Sequence, residues 1–210
     1  MGRAWISPAF HCELADWKVL TLQAASRPTH LAEIILQEPT HLGFCDASGI
    51  GAGGVWLDPS GRSHNLFWWH PWPADVTSEL VLLTNPHGTI TNSYLELVAL
   101  VIQEVTLLEA VPKARMAALR SGSEKTPTIY WSKRKALMIK PVVAGLLRIC
   151  ALHFRILFLN PSVFYHPDQE NCMAYDASHL FCLSETKFLT HMSVVHPQPY
   201  GPWQISLPPL

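Results

Sequence analysis

The strongest constraint on the fold is a run of patterns between His41 and Leu108. Three strand-like stretches joined by short connections are followed, after a connecting stretch, by one long helical repeat. "THLGFCDAS" reads as a strand with Leu42, Phe44 and Cys45 as buried candidates. "GGVWLDPSGRSHNLFWWHPWP" continues it, and its Asp58-Pro-Ser-Gly61 turn folds the flanking runs into a hairpin. Three consecutive antiparallel strands are therefore expected between His41 and Trp72. In "TITNSYLELVALVIQEVTLLEAV", Leu97, Val101, Val105 and Leu108 recur at helical spacing. Ser93 is the expected N-cap, with Glu96 three residues on as its capping-box partner.

Further along, "ARMAALRSGSE" reads as a strand and "TPTIYWSKRKAL" as a short helix opening at Thr126-Pro127. Pro141 to about Phe154 reads as a helix, "SVFYH" as a fifth strand and "QENCMAYDASHLF" as a last short helix. The predicted class is α/β, a mixed five-stranded sheet flanked by helices. Residues 1–39 form an N-terminal connection segment with a short helix in "HLAEIILQ". Residues 40–183 form the domain. Residues 184–210 form a Pro-rich tail, expected to be irregular and draped over the domain or mobile.

Composition narrows the class. Apolar residues make up 49% of the 210 and charged residues 15%, which is globular rather than disordered. A net charge of -1 gives no global pull toward nucleic acid, so such a partner would need a local basic patch. The five cysteines, Cys12, Cys45, Cys150, Cys172 and Cys182, are odd in number and form no CxxC pair, so a reducing, intracellular compartment (cytoplasmic or nuclear) is expected. The N-terminus lacks the apolar core of a secretory leader. The most apolar stretch, "PVVAGLLRICALHFRILFL", is interrupted by Arg148, His153 and Arg155, and no membrane span is predicted.

"GFCDASGIGAGGVW" carries four glycines within six positions after a single acid, Asp46. A phosphate-binding glycine loop needs a helix directly after it, whereas these glycines run into the strand-like "VWLDP". A hairpin bend explains the glycines and leaves Asp46 unexplained. An acid inside a strand is disfavoured, and its burial is costly without a partner. A cation would supply one.

The order of the motifs resembles the ribonuclease H family, and more narrowly the RNase H region of retroelement (LTR-type) polyproteins, where it follows the reverse transcriptase. The stretches that carry the resemblance are "CDASGIGAGGVW", "NPHGTITNSYLELVAL", "SEKTPTIYW" and "YHPDQENCMAYDASHLF", spanning about His41 to Leu183, with "FLTHMSVVHPQPYGPW" similar to sequence that follows the domain. The resemblance implies hydrolysis of the RNA strand of an RNA–DNA hybrid, with two Mg²⁺ (or Mn²⁺) ions roughly 4 Å apart at the scissile phosphate. It implies Asp46 and Glu96 as metal-binding acids. Glu124 stands where an "S-D-N-T-P" context has Asp, one methylene longer, with Lys125 beside it. The family's fourth acid falls four residues after an Asn. From Asn171 that position is Tyr175, and the neighbouring Asp176 is either its displaced replacement or a surface acid. The resemblance also places a loop histidine at His166. Two matched acids, one lengthened and one displaced imply a degenerate or fragmentary copy whose fold persists while hydrolysis is weak or lost.

The densest basic stretch, "SKRKALMIK", offers Lys133, Arg134 and Lys135 to a phosphate backbone, or is a solvated helix face. Trp68, Trp69 and Trp72 serve either base stacking or packing. The expected partners are an RNA–DNA hybrid or other nucleic acid and a reverse transcriptase. The alternative function is a catalytically inactive nucleic-acid-binding or protein-interaction module.

Overall fold

The computed structural model describes residues 7–29, 31, 35, 37–62, 64–110, 118–134, 141–157, 159–199 and 201–208. The predicted meander is present as β1 (His41–Ala47), β2 (Gly51–Leu57) and β3 (Asn65–Pro71), each antiparallel to the next. The hairpin between β2 and β3 turns at Asp58–Gly61, where Gly61 takes φ +67° and its N–H donates to the Asp58 carbonyl at 3.1 Å. Two more strands, β4 (Ala118–Ser123) and β5 (Asn160–Tyr165), add in parallel on the far side of β1.

Among the described residues the sheet has six strands rather than five, in the order β5-β4-β1-β2-β3-β6. The sixth, β6 (Trp203–Ile205), comes from the C-terminal segment and pairs parallel to β3. This corrects the expectation of an irregular tail. A helix, α7 (Glu185–Val195), precedes β6 because Phe188 and Met192, one turn apart, both bury against the sheet. The prolines that gave the tail its irregular look are confined to the connection and to the residues beyond β6.

Alternation along β1 sends Cys45 to one face and Phe44 to the other. On the Cys45 face, α3 (Asn92–Ala110) and α5 (Pro141–Leu157) enclose a core that includes Trp68, Leu97, Leu100 and Val143. On the Phe44 face, α6 (Cys172–His179) and α7 enclose Val55, Phe67, Ala174, Ala177, Phe188 and Met192. A short helix α2 (Ala74–Ser78) follows β3, and α4 (Thr126–Arg134) follows β4. Before the sheet lies α1 (Pro8–Ser26), which the sequence reading did not anticipate. Ser7 caps it by accepting the Phe10 N–H at 3.2 Å, and Pro8 sits in its first turn. The expected "HLAEIILQ" helix falls largely outside the described residues.

Of the four glycines after Asp46, Gly49 sits in the expected bend, whereas Gly51, Gly53 and Gly54 are in β2 itself. The turn is made by Ser48–Ile50, with the Ser48 N–H donating to the Gly51 carbonyl at 2.8 Å. A Cβ on Gly53 would overlap the backbone of Ala177 in α6, and one on Gly54 would overlap Gln103 of α3. The two glycines let a helix approach β2 on each face. Gln103 fills the space at Gly54, donating to the Val55 carbonyl at 2.7 Å and accepting from the Trp68 indole.

Among the described residues no helix is long and apolar enough to cross a membrane.

Candidate active site

β1 and β4 run parallel and adjacent, so their C-terminal ends open at the same edge of the sheet. Asp46 is the next-to-last residue of β1, and Glu124 follows β4 directly. Glu96 comes from the second turn of α3. Carboxylate oxygens of the three residues lie within 4.8 Å of one another.

Asp46 is buried, on the side of the sheet covered by α6. Ser178 donates its hydroxyl to Asp46 Oδ2, and His179 Nδ1 lies 3.7 Å from the same oxygen. One residue earlier in β1, the Cys45 carbonyl accepts from Asn171 Nδ2 at 3.1 Å, which ties the start of α6 to the acid-bearing strand.

Glu96 does not form the expected capping box. α3 starts at Asn92, and the Thr91 carbonyl accepts from Tyr94 and Leu95 at 2.9 and 3.3 Å. Ser93 therefore lies inside the first turn and Glu96 beyond the reach of a cap. The Glu96 side chain is wholly buried, and among the described residues no side chain donates to its oxygens, with the Ala47 backbone N–H acting in favour of its charged form. Burial, and after it the charges of Asp46 and Glu124, push its carboxyl up to about 8.

Glu124 is also pushed up, mainly by burial and further by Asp168, with the adjacent Lys125 pulling the other way. Lys125 Nζ forms an ion pair with Glu124. Burial alone would lower the Lys125 ammonium. Contact with Glu124, and then the charges of Glu96 and Asp46, outweigh that and hold it above its ordinary value.

Asp176 does not join this trio. It accepts from His191 Nε2 at 2.7 Å and His196 Nε2 at 2.9 Å, both contributed by the C-terminal helix and its end. The reason is helical geometry: each residue steps the side chain about 100° around the axis. Ala174, Ala177 and Ser178 take the face toward the sheet, and Asp176 turns toward α7. Tyr175 is 48% exposed, its ring stacked 4.0 Å from that of His179. Ser178 and His179 were missed by the sequence reading. The signal available was their one-turn spacing from Ala174 and Tyr175.

Lys133 is exposed near the end of α4 and lines an open groove with Arg120, Ser162 and Phe164. Arg134 is the last residue of α4, and Lys135 lies outside the described residues. Trp68 and Trp72 are packing residues. Trp68 is fully buried, and Trp72 donates its indole N–H to the Ser48 carbonyl at 2.8 Å. Half-buried Trp69 lies against Phe67 and Phe188. His166 packs its ring 4.5 Å from that of Phe44.

The chemistry of the trio fits a divalent cation. Three acids at this separation cannot all ionise without repelling one another, and no side chain donates to the two buried oxygens of Glu96. Mg²⁺ and Mn²⁺ take hard oxygen ligands and would satisfy both conditions.

No protein-family model matches the sequence, and no curated protein matches it. Solved structures do resemble the fold at low identity. One is LC11-RNase H1 in complex with an RNA/DNA hybrid, with a TM-score of 0.48 and 16% identity over 65% of this chain and 92% of that one. Another is RNase H1 of the archaeon Halobacterium salinarum, with a TM-score of 0.43 and 16% identity over 65% and 92%. A third is the N-terminal RNase H domain of a Mycobacterium tuberculosis protein, with a TM-score of 0.42 and 12% identity over 70% and 100%.

Proposed function

We propose that this chain is an RNase H-like domain of retroelement origin that binds RNA–DNA hybrids and divalent cations and cleaves the RNA strand slowly. The observation that carries this reading is the convergence of Asp46, Glu96 and Glu124 at the shared C-terminal edge of β1 and β4. These acids occur in the order that the motif resemblance implies, on the first strand, the following helix and the end of the fourth strand.

Asp46, Glu96 and Glu124 would hold the cation, which when bound supplies positive charge to a phosphodiester and acidity to a water. The chain's own groups do the rest. Ser178 fixes the orientation of Asp46. Glu96 must give up its proton before it can act as a ligand. Lys133 and Arg120, which line the groove by β4 and β5, would grip phosphates. Three features favour slow turnover: the longer acid at Glu124, the ammonium of Lys125 paired with it, and Tyr175 in place of a fourth acid. A reverse transcriptase is the protein partner that the retroelement reading implies. The scattered thiols support an intracellular setting.

The same pairing of Lys125 with Glu124 favours a second reading, an inactive hybrid-binding module. Cleavage of a labelled RNA–DNA hybrid in Mg²⁺ or Mn²⁺, beside an Asp46→Asn control, tests the proposal. Cleavage above the control supports it. Salt-sensitive hybrid binding with no metal-dependent cleavage supports the second reading. Neither binding nor cleavage rejects both.

A further inference from the structure

Two imidazoles and one carboxylate meet between α6 and α7, as a group separate from the acidic trio. Asp176 comes from α6, His191 from α7, and His196 from the residue that ends α7. Both histidines address the same oxygen with the same nitrogen: His191 Nε2 lies 2.7 Å and His196 Nε2 2.9 Å from Asp176 Oδ2. The three ligand atoms fall within 4.8 Å of one another.

We propose that Asp176, His191 and His196 form a second metal site, for a borderline transition cation of the Zn²⁺ type, which fastens the C-terminal helix and β6 to α6. The proposal is independent of hybrid cleavage.

Ligand chemistry separates this site from the trio. Two imidazoles with one carboxylate suit Zn²⁺, Co²⁺ or Fe²⁺, whereas the all-oxygen trio suits Mg²⁺ or Mn²⁺. Without a cation, each neutral imidazole must carry its proton on Nε2 and donate it to one shared oxygen. A cation replaces both protons and uses the three lone pairs directly. Zn²⁺ bond lengths of about 2.0–2.1 Å set ligand atoms roughly 3.3 Å apart in a tetrahedron, so the donors need to separate by roughly half an ångström. Three protein ligands leave a fourth position for water.

The surroundings hold the ligands in place. The side chains of Asp176, His191 and His196 are 22%, 28% and 13% exposed, shielded yet reachable from solvent. Phe188 lies nearly parallel to the His191 ring, 6.3 Å between centroids. The His196 carbonyl accepts from Trp203 Nε1 at 2.8 Å, so the same residue that would bind metal also anchors β6.

The test uses the full chain carrying Asp46→Asn, which disables the trio, stripped of metal by a chelator. Co²⁺ is added and followed by visible absorption and by equilibrium dialysis. The expected result is one bound equivalent with ligand-field bands, displaced by Zn²⁺ and unaffected by excess Mg²⁺. His191→Gln, His196→Gln and Asp176→Asn, each made separately, should weaken Co²⁺ binding by more than about tenfold, the loss that even outer-sphere changes produce. Circular dichroism melts confirm that each variant folds. The variant-independent readout is paramagnetic broadening of the His191 and His196 imidazole signals by Co²⁺. Absence of a bound equivalent overturns the proposal. So does binding that survives both histidine substitutions, or binding that disappears instead with Cys172→Ser or Cys182→Ser.

Discussion

Ser178 donates a hydrogen bond from its hydroxyl to Asp46 Oδ2, and in doing so closes a relay that runs from α6 to β1. The Ser178 hydroxyl oxygen lies 2.7 Å from His179 Nδ1, and the Ser178 backbone carbonyl accepts from the Ser48 hydroxyl, also at 2.7 Å. With its proton on Nδ1, His179 donates to Ser178, and Ser178 donates to the acid. Ser178→Ala removes the donor and leaves a buried carboxylate oxygen without it. The expected cost is about 1–3 kcal/mol of unfolding free energy, measured by urea denaturation without divalent ions. A cost under about 0.5 kcal/mol would show that water replaces the hydroxyl.

Tyr175 occupies the position where the motif resemblance implies a fourth acid, and it stacks on His179 at the edge of the trio. Its ring is half exposed, so replacing it with a shorter side chain leaves the core intact. Tyr175→Asp is expected to raise hybrid cleavage in Mg²⁺ by at least about tenfold, equivalent to ~1.4 kcal/mol of barrier. Single-turnover assays against the unsubstituted chain read this directly. An unchanged rate would mean that position 175 cannot reach the scissile phosphate.

Lys125 places a resident ammonium on Glu124, and it also feels the charges of Glu96 and Asp46. A bound cation must compete with it. Lys125→Met keeps the aliphatic stem and removes the charge. Mg²⁺ affinity by calorimetry should tighten about three- to fivefold, in line with the ~0.7–1 kcal/mol of a partly exposed ion pair. Weaker binding in this variant would assign Lys125 a supporting role instead.

Much of the frame was legible because local patterns agree with tertiary demands in this part of the chain. The meander from β1 to β3 has both alternation and a turn signal, and α3 carries apolar residues at helical spacing. The ends were less legible. α1 leaves Phe10, Leu14, Trp17 and Leu22 exposed, so it lacks the contrast between faces that marks an amphipathic helix. In the tail, Pro197, Pro199 and Pro202 drew attention from Phe188 and Met192, which bury α7. At the site, the order of Asp46, Glu96 and Glu124 along the chain was readable. The fate of Asp176 was not. It depends on which face of α6 meets the sheet, and Gly53 decides that by admitting Ala177 against β2. Gly53 thus takes part in placing the site, beyond the hairpin bend that Gly49 serves.

Glu104 is buried among the residues of α3, and burial holds its carboxyl well above the ordinary carboxylate range. The folded chain therefore keeps this proton at a pH where the unfolded chain has lost it. Its contribution to stability is complete below the unfolded pKa and declines as pH rises toward the folded value, with a slope of at most about 1.4 kcal/mol per pH unit. Glu104→Gln removes the titration. The gap in unfolding free energy between Glu104→Gln and the unsubstituted chain should move in favour of the variant from about pH 5 to about pH 8. A gap that stays constant over this range would mean that Glu104 is ionised in the folded protein.

Glu96 couples cation binding to pH in the opposite direction. Its carboxyl, at about 8, is protonated at neutral pH, and a carboxylic acid is a poor ligand for Mg²⁺. Binding must release that proton. Mg²⁺ affinity is thus expected to rise by up to about tenfold per pH unit from about pH 6 to about pH 8, then to level off as Glu96 ionises on its own. Calorimetry near pH 7 in two buffers of different ionisation enthalpy should report close to one proton released per cation. Glu96→Gln abolishes both the slope and the release, and weakens binding throughout. An affinity independent of pH between about 6 and 8, with no proton released, would place the cation outside the reach of Glu96 and remove that acid from the site.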